Sequence, residues 1–121
     1  MTTLDATLQW LDSRLATAPP ELAEDVLALV RSAGDADRGE DGEAVAELLT
    51  RAALMGLTEV ADGHGRRQSA LRLLSADAAL TFAFEAAAEL GADVAQLCRR
   101  TGPRGEFGRR MADRPTIGER Q

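Results

Sequence analysis

Leu4, Leu8, Leu11 and Leu15 are spaced by four, three and four residues, and Leu22, Val26, Leu29 and Ala33 repeat the same spacing. Side chains three and four apart share one face of an α-helix, whereas a strand would throw them to both sides. Each run is therefore one apolar stripe that needs covering. Pro19-Pro20 separates the two runs. The residue before a proline is pushed out of the helical region, yet proline itself suits a first helical turn. One dipeptide thus ends the first helix and opens the second, and so short a connection predicts an antiparallel helical hairpin. Thr2 or Thr3 caps the first helix, with Asp5 in its first turn; Glu21, Glu24 and Asp25 load the positive end of the second. Leu27 and Val30 widen the second stripe, so that helix is expected to be the more buried of the two.

Gly34 is expected to stop helix two, and the stretch it opens, GDADRGEDG, is a loop with no large apolar side chain. The spacing predicts a third helix over 43–62. Val45, Leu48, Leu49, Ala52, Ala53, Gly56 and Val60 line one side of it, while Leu54, Met55 and Leu57 spill onto the other. Such a helix is central or meets a second chain. Gly56 lets another backbone come close. DGHG over 62–65 is a turn, and a fourth helix starts at Arg66. Ser75 reads as an N-cap with Asp77 in the following turn, which favours a bend there over the alternative, a helix that runs on to Leu90. Phe82, Ala86 and Leu90 then share a face, with Phe84 beside it. Gly91 closes the helix, and a short one over 92–100 carries Val94, Leu97 and Cys98. Ala and Leu dominate the apolar residues and aromatics make up only 3% of the chain, which favours helices over strands. The expected fold is all-α: a small helical bundle of four to six helices, built from antiparallel helical hairpins over residues 1–100.

The last stretch, TGPRGEFGRRMADRPTIGERQ, has four Gly, two Pro and few apolar residues. It buries too little surface to offset the entropy of ordering, so 101–121 is expected to be a disordered, flexible tail. Net charge is −6, unevenly spread: residues 1–98 carry −10 and residues 99–121 carry +4. The acidic body repels nucleic acid and anionic membranes, while the tail attracts polyanions. All fourteen cationic side chains are Arg, read as codon bias in a GC-rich bacterial genome. Cys98 is the sole cysteine, so no internal disulfide forms and a reducing compartment is expected. MTTLDATLQW lacks the features of a signal peptide, and an uncharged apolar stretch such as Ala78 to Phe84 is far too short to span a bilayer. These features predict a soluble, cytoplasmic protein without a membrane partner.

Chemistry-bearing constellations are few. His64, the only histidine, sits in a glycine turn between Asp62 and Arg66-Arg67. A catalytic use would have Asp62 orient the imidazole while the arginines hold an anionic substrate. A calcium loop counted from Asp37 has Gly42 at position six, but Gly39 at three and Leu48 at twelve break the register. One Cys and one His cannot make a zinc site. Glu85 with Glu89, and Glu43 with Glu47, lack the Glu-x-x-His companions of a di-iron bundle and read as solvated faces. No metal or cofactor is expected. Arg66, Arg67 and Arg72 oppose the dipole of their helix, so pairing with the acidic loop is expected to hold them.

Three functional readings result. The first is a non-enzymatic helical protein–protein interaction or accessory module that self-associates through the Leu4–Leu15 stripe and ends in a docking peptide. Its contact residues would be Trp10, Met55, Leu57, Phe82, Phe84, Arg109, Arg110 and Ile117. The second is nucleic-acid or polyanion binding through the basic tail, with Phe107 stacking on a base. The third is a small enzyme using His64.

Overall fold

The computed structural model describes residues 2–36, 44–63 and 66–112. Among them six helices occur and no strand: α1 (Thr3–Leu15), α2 (Pro20–Ala36), α3 (Val45–Ala61), α4 (Arg66–Leu90), α5 (Val94–Thr101) and α6 (Glu106–Ala112). The all-α fold follows the apolar stripes. Thr2 opens α1 with a capping box: its Oγ1 accepts from the Asp5 amide at 3.0 Å, and the Asp5 carboxylate accepts from the Thr2 amide at 3.1 Å. The backbone and hydroxyl donors of Thr2 hold the Asp5 carboxyl below its ordinary value, so the cap stays charged further into acid. Pro20 starts α2, and Asp93 caps α5 by accepting from the Gln96 amide at 3.0 Å.

α3 is the central helix, touching α1, α2, α4 and α6. Its buried residues are Ala46, Leu48, Leu49, Thr50, Ala52, Ala53, Leu54 and Gly56, which span well over half its circumference. α4 answers with small side chains only: Ala76, Ala79, Ala83, Ala86 and Ala87 are buried. This alanine stripe lets α3 and α4 share the most extensive interface in the molecule. At its tightest point, a β-carbon on Gly56 would lie 2.9 Å from Ala76 Cβ and 3.0 Å from Leu29 Cδ2. The buried hydroxyls of Thr7 and Thr50 each donate to the carbonyl four residues earlier, at 2.7 Å, so neither is left unsatisfied.

Three expectations are corrected. Gly34 does not end α2, which continues to Ala36. Its role is steric: a β-carbon there would sit 2.9 Å from Leu4 Cδ1, so the missing side chain gives α1 its place. Ser75 is not a cap either. α4 runs uninterrupted, and Ser75 is fully buried inside it. A break there would lift half of the alanine stripe off α3, and that lost burial outweighs the local preference of serine for a cap. The Ser75 Oγ has no hydrogen-bond partner. Ser75→Ala removes a buried unpaired hydroxyl and adds one residue to the alanine stripe. It is expected to raise stability by about 1 kcal/mol in urea titration, and a loss instead would mean the hydroxyl is bonded.

The third correction concerns the end of the bundle. The ordered helices extend past residue 100, because α5 ends at Thr101 and α6 follows. Phe107 is only 5% exposed and joins the core cluster, with α6 lying against α3 and α5. The glycines that suggested disorder are what let the chain double back. A β-carbon on Gly105 would run into the carbonyls of Arg99 and Arg100, and one on Gly108 into that of Pro103. Residues 113–121 lie outside the described residues.

Candidate interaction surface

Three arginines bind the helices together, each reaching two carboxylates. Arg14 of α1 pairs with Glu89 and, at 3.6 Å, with Glu85 on α4. Arg72 of α4 pairs with Asp25 of α2 at 3.0 Å and Glu59 of α3 at 3.4 Å. Arg100 of α5 pairs with Glu47 of α3 at 2.5 Å and Glu106 of α6 at 3.6 Å. Burial works against the charge of Arg100, but the Glu47 hydrogen bond and both carboxylates outweigh it and raise its pKa above the ordinary value. Arg72 therefore finds its acids on helices, rather than in the acidic loop where they were expected. Glu85 and Glu89 form a grip on Arg14 instead of a free solvated face.

Several residues expected to meet a partner are used inside the fold. Trp10 and Phe82 pack edge to face, with ring centroids 6.1 Å apart, and Arg14 lies 3.6 Å over the indole. Their bulk bridges α1 and α4 where the backbones stay apart. Met55, Leu57 and Phe84 are half-buried against the core. Arg109 and Arg110 are exposed in the last turn of α6. Ile117 lies outside the described residues, as does His64, so the structure does not place the imidazole near Asp62 or any other group.

The large apolar side chains left in water are different ones: Leu73 at 47% exposure, Leu74 at 58%, Leu90 at 58% and Val94 at 37%. Leu74 lies almost opposite the alanine stripe of α4. With Leu71, Gln68 and Arg67 it forms one wall of an open cleft whose other wall is Glu21, Glu24, Asp25 and Ala28 of α2. Next to it, a hollow of about 350 Å³ runs under Arg72 to Glu59 and Val60 at the end of α3. Together the cleft and hollow present four carboxylates against two arginines, with leucine between them. Glu21 and Glu24 are exposed and carry no ion pair among the described residues. Asp25 uses only Oδ1 on Arg72, and its Oδ2 is buried without a partner.

The other end of the bundle has the opposite character. Arg99, Arg104, Arg109 and Arg110 are exposed, and none forms an ion pair among the described residues. Leu90, Val94 and Cys98 stand exposed at the same end. Among the described residues no three His, Cys, Asp or Glu side chains converge as metal ligands, and no helix is long and apolar enough to cross a membrane. The arrangement defines a small helical bundle with two polarised, partly apolar surfaces. No protein-family model, curated protein or solved structure matches the chain.

Proposed function

We infer that this chain is a non-enzymatic helical interaction module, and that the α2/α4 cleft receives a protein partner. One observation carries the reading: α4 buries alanines while holding Leu74 in water on the wall of a cleft. An isolated exposed leucine means little, but Leu71 and Leu74, one turn apart, share a face of α4 and line the same cleft, as at a binding surface. The unpaired Glu21 and Glu24 on its rim favour a partner with basic residues around an apolar centre. The test is affinity capture from a cell lysate with the intact chain and with Leu74→Asp. The expected result is a specific prey retained by the intact chain and lost by the variant. Prey that ignores the substitution refutes the cleft, and so does the absence of prey from a chain that is also monomeric. A truncated control must end after Ala112, since removing α6 would expose the core around Phe107.

A second reading, polyanion binding, draws support from the four exposed arginines of the α5–α6 end that form no ion pair among the described residues. It loses the base-stacking contribution, because Phe107 is buried in the core.

A further inference from the structure

We propose that the occupant of the cleft is the α5–α6 end of a second copy, so that the chain self-associates head to tail. This rests on the cleft being an interaction site, as inferred above. The two surfaces complement one another in charge and in apolar content. The cleft offers Leu71 and Leu74 beside the unpaired carboxylates of Glu21 and Glu24. The far end exposes Leu90 and Val94, and it exposes Arg99, Arg109 and Arg110, none of which forms an ion pair among the described residues. The same polarity holds along the whole chain, with −10 over residues 1–98 and +4 over 99–121. Opposite patches of this kind steer encounter and fix the orientation of docking.

The fold also decides between contact within one chain and contact between two. Leu71 and Leu90 lie on the same uninterrupted helix. At ~1.5 Å of rise per residue they are held roughly 28 Å apart. α4 is thus a rigid spacer that keeps the two described patches from meeting in one molecule, and a second copy brings them together. Because different surfaces meet, the contact leaves a free cleft at one end and a free basic end at the other. Association of this heterologous type continues into longer chains or closes as a ring rather than stopping at a two-fold dimer.

Sedimentation of the full chain over a concentration series up to about 1 mM, at low and high salt, tests the proposal. The average mass is expected to climb with concentration past the dimer and to fall as salt screens the arginines. Leu74→Asp blocks the cleft, and Arg109→Glu/Arg110→Glu blocks the basic end. All three side chains are exposed, so both variants should keep the helical circular dichroism of the native chain. Each alone is expected to remain monomeric. Mixed, the intact cleft of one variant meets the intact end of the other, and the mixture should give a 1:1 complex that does not grow. The proposal is overturned if the native chain is monomeric throughout, if either variant associates as the native chain does, or if the mass stops at a dimer. It is equally overturned if the paired variants fail to combine. A monomeric chain whose captured prey is still lost in Leu74→Asp removes self-docking and leaves the cleft as a site for another protein. A monomeric chain with no such prey removes both.

Discussion

Gly56→Leu is expected to cost about 3 kcal/mol of folding stability, in the upper range for forcing bulk into a packed core. The position faces Ala76 and Leu29, with 2.9 and 3.0 Å available to a β-carbon. Leu29 can swing its methyl away, but Ala76 Cβ is fixed to the α4 backbone, and its Cα is only 3.6 Å from the same point. The added side chain must therefore push α4 away from α3 and open the largest interface in the molecule. Gly56→Ala separates two effects. Alanine gains about 1 kcal/mol of helix propensity over glycine, and a net loss is still expected because the methyl collides with Ala76. Adding Ala76→Gly removes the collision, so the double variant should be more stable than the two single losses predict, with a coupling of about 1 kcal/mol or more. Urea titration of the four proteins closes this cycle. Additive losses, or a Gly56→Leu variant that melts with the native chain, would show that α3 and α4 do not cross at this point.

The same crossing explains which parts of the fold were legible in the sequence. α1 and α2 could be read because large leucines and valines mark their buried faces and two prolines mark the joint. α3 could be placed at the centre because apolar residues surround it, and Gly56 carried its meaning with it. α4 was harder. Its buried face is made of alanine, but Ala70, Ala78 and Ala88 lie on other faces, so the sequence does not distinguish the stripe that α3 selects. Ser75 looked like a cap for the same reason: nothing local shows that the helix is held straight by α3. Once the alanine stripe is known, the exposure of Leu74 follows from its angular position, and the cleft with it.

The contacts around the candidate surface were illegible for a different reason. Arg14, Arg72 and Arg100 find partners 75, 47 and 53 residues away, and no local spacing encodes such pairs. Each arginine is partly exposed, so the pairs contribute modestly to stability. Their forked geometry ties α1 to α4, α4 to α2 and α3, and α5 to α3 and α6. Trp10 and Phe82 drew attention as contact residues because of their size. That size serves the fold, filling the space between α1 and α4. What remains outside is an acidic, leucine-lined cleft at one end and exposed arginines, with Leu90 and Val94, at the other.

Phe107→Ala is expected to detach α6 while leaving the remaining helices folded. Truncating a buried phenylalanine typically removes about 3 kcal/mol or more. A seven-residue helix has no stability of its own in water, so α6 persists only through what it buries. Among its described side chains Phe107 is the buried one, and the ion pair of Glu106 with Arg100 is partly exposed. Native-state hydrogen exchange should show the α6 amides losing protection while those of α3 and α4 keep theirs. Global stability should fall by less than the truncation figure, because the loss cannot exceed the free energy that docks α6. Gly108→Ala should give the same pattern by another route, since its β-carbon collides with the Pro103 carbonyl and forces the turn open. The arginine side chains are untouched in both variants. A defect in self-association shared by both would therefore report their positioning by α6, rather than their charge. Unchanged α6 protection in Phe107→Ala would mean that Phe107 is not what holds the chain end to the bundle.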